Sequence, residues 1–276
     1  MGNICIIGPR ASGKTTYLAG LCHYSQYTGP RSKYTVSPLN DESWELKYQA
    51  EETLLKGLSF DATGNYVHTV DDLNYYSFKI EVKKGLFQPR SVIILNVRDY
   101  PGEVFENILY ASQTDSIHEE FINESLMPDV DGCLLLFTEW ENSKDDFYSR
   151  LMSRFVEIMD EHGRLYNYRL AVVMSKCERG EIWPGRIDPE TDLFRVYLKK
   201  TLNTLNKGIP KQNLRFFALS TFGVLGRYDP RPNRDDALGS WGRASTLREP
   251  NTWKPYNLIE PLCWLNKDGQ KKEGPK

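Results

Sequence analysis

Histidine is scarce, with four residues in a chain of 276. His23, His68, His118 and His162 share no spacing that would bring two of them onto one metal ion, so they read as surface or packing residues. Cysteine is nearly as sparse. The five, at 5, 22, 133, 177 and 263, include no Cys-x-x-Cys pair, which argues against a zinc clip or a disulfide framework. Three lie in or beside apolar runs, where a small buried thiol is common, and a reducing, cytoplasmic setting is the expectation. An excess of either charge is missing too. Lys and Arg total 35 against 37 Asp and Glu, a net charge of −2, which leaves no electrostatic case for a nucleic acid or an anionic membrane. No stretch approaches the roughly 20 apolar residues that cross a bilayer. Met1 runs almost directly into an apolar strand pattern, without room for a signal peptide, and no internal repeat is present.

What is present is enough to build a full core, since 40% of residues are hydrophobic and 12% aromatic. Near-continuous apolar runs at 4–7, 91–97, 131–138, 170–174 and 214–219 read as strands, those at 91–97 and 131–138 as buried on both faces. Tyr76, Phe78, Ile80 and Val82 alternate with polar residues, the period of a strand with one wet face, which suits a sheet edge. Between these runs lie helical stripes. Asn40 or Asp41 caps one containing Trp44, Tyr48 and Leu55, Ser143 with Asp146 resembles a capping box, and Asp188-Pro189 opens another. Strands alternating with helices predict an α/β fold, a mostly parallel central sheet with helices on both faces in a three-layer sandwich with insertions. The expected layout is one domain over 1–265, with a long loop at 222–255, a terminal helix at 256–265 and a disordered tail at 266–276. The loop's Trp241 and Trp253 suit either an interaction surface or packing on the chain's own body.

The most informative stretch is Gly8-Pro9-Arg10-Ala11-Ser12-Gly13-Lys14-Thr15-Thr16, which follows a strand and opens a helical pattern. This is a P-loop by its chemistry. A polyphosphate must be held without water, so loop N–H groups and the helix N-terminus supply positive potential, and Lys14 adds a point charge at the terminal phosphates. Thr15 would hold Mg²⁺ through its hydroxyl. In a parallel sheet the ligand sits at the strands' carboxyl ends, where Asp99, Ser175 and Ser220 also fall.

These later loops select among P-loop chemistries. Asp99-Tyr100-Pro101-Gly102 resembles the Asp-x-x-Gly motif of Ras-like GTPases, whose Asp holds Mg²⁺ through water and whose Gly amide senses the γ-phosphate. Ser175-Lys176-Cys177-Glu178 resembles the guanine-reading Asn-Lys-x-Asp motif, and Ser220-Thr221-Phe222 stands where such proteins place their Ser-Ala-Lys loop. With the closing Leu258-Ile259-Glu260-Pro261-Leu262, the motifs resemble bacterial small GTPases of the TRAFAC class, of the double-GTPase kind in predicted conflict systems. The resemblance implies a GTP/GDP switch with Mg²⁺, acting on a protein partner that is a second GTPase or an effector. It also implies a switch threonine, for which Thr63 is the first candidate and Thr69 the reserve.

Three departures from that pattern matter. Ser175 replaces the Asn that ties the base loop to the P-loop, Glu178 replaces the base-reading Asp, and Glu103 follows Gly102 where hydrolysing relatives carry Gln. A carboxylate there puts negative charge beside an anionic γ-phosphate, so slow hydrolysis is expected unless a cation such as Arg10 offsets it. Lys14, Glu103 and Arg10 are thus the catalytic candidates. Two rival readings remain open from sequence: an ATP-dependent kinase or ATPase with an arginine lid drawn from Arg227, Arg231, Arg234, Arg243 and Arg248, and a scaffold that holds nucleotide without turnover.

Overall fold

The structure is a computed structural model describing residues 3–28, 32–56, 70–83, 91–110, 116–239 and 242–266. In chain order the elements are β1 (Asn3–Ile7), α1 (Lys14–Thr28), β2 (Tyr34–Pro38), α2 (Asp41–Lys56), β3 (Tyr75–Val82), β4 (Ser91–Arg98), α3 (Gly102–Glu106) and α4 (Ser116–Leu126). There follow β5 (Val130–Phe137), α5 (Asn142–Glu161), β6 (Arg169–Met174), α6 (Arg195–Tyr197), α7 (Lys199–Gly208), β7 (Leu214–Ala218), β8 (Arg234–Gly239), β9 (Gly242–Leu247) and α8 (Glu260–Leu265).

A parallel sheet in the order β1-β5-β6-β7 carries the fold. Its strands are apolar throughout because both faces are covered, and the two-residue period of a strand sends alternate side chains to opposite layers. Cys133, Leu135 and Phe137 join Leu151 and Phe155 of α5 and Leu202 of α7. Leu134 and Leu136 point the other way, to Leu18 and Leu21 of α1 and Leu262 and Leu265 of α8. Each such leucine contributes about 1.5–3 kcal/mol by leaving water. The expected α/β sandwich with helices on both faces is therefore present. Among the described residues no helix is long and apolar enough to cross a membrane.

The antiparallel part of the molecule departs from the expectation. Tyr75–Val82 is the middle strand of a three-stranded sheet, order β2-β3-β4, and the edge is the five-residue β2 in a stretch that reads from sequence as a linker. β4 alternates between buried and half-buried positions instead of being closed on both faces. It lies beside β1, where Asn96 Nδ2 donates to Asn3 Oδ1 at 2.9 Å. Asn40 does cap α2, its Oδ1 accepting from Ser43 N at 3.2 Å.

Helix ends show two further differences. α5 starts at Asn142 with no side-chain cap bond; Asp145 instead faces α7 and accepts from Lys200 N and Thr201 N, both at 2.9 Å. The run opened by Asp188-Pro189 breaks at Leu198 (φ −126°, ψ 50°), which separates α6 from α7. The interval 222–255 is not one unstructured loop but contains the antiparallel hairpin β8–β9. Asn233 clasps its root, donating from N to Gly223 O at 3.0 Å and from Nδ2 to Glu249 O at 3.0 Å, and accepting from Glu249 N at 2.7 Å. The terminal helix is shorter than 256–265, because Pro261 occupies the first turn of α8, where its missing N–H is harmless.

Candidate functional site

Chain geometry at the end of β1 is a tight turn closed by Ser12 N donating to Pro9 O at 3.2 Å. Gly13 has φ 91°, a conformation open to glycine, and the next residue begins α1. Ala11 holds φ 58°, which for a residue with a Cβ costs about 1–3 kcal/mol and persists only where its surroundings enforce it. Lys14 folds back over the turn, its Nζ donating to Gly8 O at 2.9 Å. Burial pulls its pKa down, against the opposing pull of Asp99, Glu103 and Glu106. Ser12 Oγ is buried and, among the described residues, has no hydrogen-bond partner. Thr15 Oγ1 donates to Asp99 Oδ2 at 2.8 Å, and Thr16 follows it in the first turn of α1. The hydroxyl and the carboxylate expected from sequence to hold Mg²⁺ thus lie in direct contact.

Asp99 is buried and flanked by residues held from α4. Glu124 takes Arg98 Nε at 3.1 Å and Tyr100 Oη at 2.7 Å. Gly102 lies directly on the P-loop, since a Cβ there would stand 2.5 Å from Arg10 Cα and 2.5 Å from Pro9 C. A side chain at 102 would force the two loops apart. Glu103 Oε1 is 3.2 Å from Arg10 Nε, and both side chains are largely exposed. Glu106, one turn further along α3, accepts from Arg10 N at 2.7 Å. The sequence reading passed over Glu106, although its spacing of three from Glu103 puts both carboxylates on one helix face.

The third and fourth loops meet the first from the far side of the sheet. Ser175 Oγ lies 2.8 Å from Ser12 O and 2.9 Å from Phe137 O, so the hydroxyl joins this loop to the first. Lys176, at φ 55°, donates from Nζ to Ala11 O at 2.9 Å. Burial lowers its pKa to about 8, helped by Arg234 and Arg179. Beyond it Glu178 is fully buried, and among the described residues neither carboxylate oxygen accepts a hydrogen bond of ordinary geometry. Arg234 Nη1 stands 3.7 Å from its Oε1. Burial pushes the Glu178 carboxyl up, with Ser220, Arg234 and Lys176 pulling the other way.

Ser220 and Thr221 lie next to this loop, both buried, and Cys177 N donates to Leu219 O at 3.0 Å. They are covered by the chain returning from the hairpin: Tyr256 N donates to Ser220 O at 2.9 Å and Trp253 Nε1 to Thr221 O at 2.7 Å. Trp253, fully buried, therefore packs on the molecule's own body. Trp241, Thr63 and Thr69 lie outside the described residues. Among the described residues no three His, Cys, Asp or Glu side chains cluster as a metal site of their own. Arg10, Lys14, Asp99, Gly102, Ser175, Lys176 and Glu178 thus converge, joined by contacts that do not follow from sequence.

No protein-family model matches the chain, and no curated protein does. Among solved structures, the GTPase-like domain of S. cerevisiae Ski7, bound to GDP and inorganic phosphate, aligns with a TM-score of 0.47 at 13% identity over 99% of this chain and 51% of that one. Toc33 from Arabidopsis thaliana aligns at 0.40 and 12% identity, over 99% of this chain and 85% of its own. The signal recognition particle receptor SRb-GTP/SRX complex from Chaetomium thermophilum gives 0.36 and 12% identity, over 82% and 95%. The chain spans about half the length of the Ski7 chain. At this distance the likeness assigns nothing to the site, whose reading rests on the distances given above.

Proposed function

We propose that the chain binds Mg²⁺-GTP, hydrolyses it slowly to GDP and phosphate, and acts as a switch through a partner protein, a second GTPase or an effector. One observation carries this reading. The P-loop is tied through Ser175 and Lys176 to a loop that ends in Glu178, a buried carboxylate whose oxygens, among the described residues, accept no hydrogen bond of ordinary geometry. A buried carboxylate whose cation stands 3.7 Å away, too far for a hydrogen bond, is unfavourably placed unless a ligand completes it, and guanine offers two adjacent N–H donors at N1 and N2. Lys14 and the amides at the start of α1 suit the phosphates. Mg²⁺, held by Thr15 and through water by Asp99, with Thr63 as the proposed third group, would neutralise the β- and γ-oxygens.

In hydrolysis the water oxygen bonds to the γ-phosphorus and the bond to the β–γ bridging oxygen breaks, so the leaving group is GDP. Glu103 would accept the water's proton but adds charge beside the phosphoryl group. The Arg10 guanidinium at 3.2 Å offsets part of that charge. This pair supports slow turnover, and it is also the feature that would make the chain a scaffold if turnover were nil. The finer resemblance to GTPases of bacterial conflict systems is supported by the stretches at 8–18, 99–103 and 258–265 and extends the same reading to a paired partner.

Calorimetry with GTP, GDP and ATP tests the proposal. GTP and GDP should bind more tightly than ATP, and Lys14→Ala or Thr15→Ala should abolish Mg²⁺-nucleotide binding, since each removes a direct contact to phosphate or metal. Undiminished affinity in either variant would remove the phosphate site from this loop. Equal affinity for ATP would favour the kinase or ATPase reading.

A further inference from the structure

Arg234 reaches the base end of the site from β8, a strand that no part of the nucleotide reading requires. Its Nε donates to Asp236 Oδ1 at 2.6 Å, and Ser245 Oγ donates to the same oxygen at 2.8 Å, so the guanidinium is oriented from behind. It lies over Phe222, 5.6 Å from the ring centroid. Among the described residues its Nη groups make no hydrogen bond, and the 3.7 Å approach of Nη1 to Glu178 Oε1 is too long for one. The Asn233 clasp at the hairpin root fixes where the side chain starts.

Ser175 bears on the same point. Its single hydroxyl proton has two carbonyl oxygens to serve, Ser12 O and Phe137 O, so none remains for a base. The base end therefore holds an acceptor with unspent capacity and lacks a side-chain donor from the loop that usually provides one. Arg234 is a donor with unspent capacity beside it.

We propose that Arg234 is a specificity-determining residue of this site: its guanidinium donates to guanine O6 while Glu178 accepts from N1–H and N2–H. The proposal rests on the guanine-nucleotide reading above and names the residue that completes it. Guanine presents acceptor, donor, donor along this edge and meets the pair in full. Adenine presents a donor at position 6, facing the guanidinium, and an acceptor at N1, facing the carboxylate, so neither carboxylate oxygen is met. The serine at 175, the glutamate at 178 and the inserted hairpin are then one adaptation.

The test is the affinity of GDP, ADP and 6-thio-GDP, whose position 6 is a poor acceptor, for the full chain and for Arg234→Ala and Arg234→Lys. Arg234→Ala should weaken GDP about tenfold or more while leaving ADP nearly unchanged, the loss expected of a charged hydrogen bond. The penalty that 6-thio-GDP suffers against GDP in the unaltered chain should shrink in Arg234→Ala. Arg234→Lys, a point charge without the fork, should restore part of the affinity. GDP binding in Arg234→Ala equal to or tighter than in the unaltered chain would overturn the proposal, since the arginine would then only neutralise Glu178. A thio penalty that persists unchanged would overturn it as well. Should Arg234→Ala fail to fold, the thio penalty in Arg234→Lys decides. An unaltered chain with no preference for GDP over ADP would sink the guanine reading itself, and does so before any substitution is made.

Discussion

A carboxylate shut away from water, with a cation near but not touching, opposes folding at any pH where it is charged. At Glu178 the folded-state pKa lies above the ordinary 4.5, so the folded chain holds that proton more tightly than the unfolded one. Stability from this group is therefore greatest at low pH and declines as pH rises through the interval above 4.5. Glu178→Gln should raise the melting temperature of the nucleotide-free protein at neutral pH, and the gain should vanish as pH falls to 4.5. A gain independent of pH would show that it does not come from ionisation of the carboxylate. At the other end of the site, the Arg10–Glu103 pair is open to solvent and contributes at most about 1 kcal/mol to stability, and under the proposed function its weight falls on rate. Glu103→Gln should speed single-turnover phosphate release by about tenfold, the effect of easing ~1.4 kcal/mol of repulsion. Arg10→Gly should slow it. Rates unmoved by both changes would place the limiting step elsewhere.

Elements differ in how plainly the sequence shows them, and the reason is burial. β5 and β6 are legible because both faces are covered, which leaves an apolar run with no competing period. β2 is five residues long and β8 opens Arg-Asp-Asp, so neither carries an apolar signal; pairing with β3 and β9 makes them strands. The hairpin is fastened instead by Asn233 and by the chain that follows it. Trp253 closes that fastening from the buried side, against His23 at 5.0 Å between ring centroids and Thr221 O through its indole N–H. Trp253→Ala should cost about 3–5 kcal/mol in urea unfolding, the range for emptying a large aromatic site. It should also weaken nucleotide binding, because Ser220 and Thr221 lose their cover. A variant that loses stability but keeps full affinity would show that this cover is not needed by the base.

Over the whole molecule the two apolar layers are separated by one sheet, and the candidate site lies along its carboxyl edge, fed by both. The motifs at 8–16 and 99–102 are legible in sequence because phosphate chemistry tolerates few alternatives at those positions. At the other end of the candidate site Ser175 and Glu178 stand out in sequence, but Arg234 lies 56 residues beyond Glu178, and only the fold brings them together. A ligand that spans this edge should stabilise the molecule as a unit. GTP at a hundred times its dissociation constant should add about 2.7 kcal/mol, seen as a rise in melting temperature that ATP at equal concentration does not match.

The clasp at Asn233 has a consequence for the covalent chain itself. Arg227 and Tyr228 are exposed in the bend before β8, and on the later side β8, β9 and α8 are each held to earlier residues by hydrogen bonds or buried side chains. The peptide bond between them is therefore dispensable once the molecule is folded. Residues 1–227 and 228–276, produced together as separate polypeptides, should copurify as one particle and melt as one. Polypeptides that part in a gel-filtration column would show that the backbone at this bend, and not the clasp, keeps the hairpin in place.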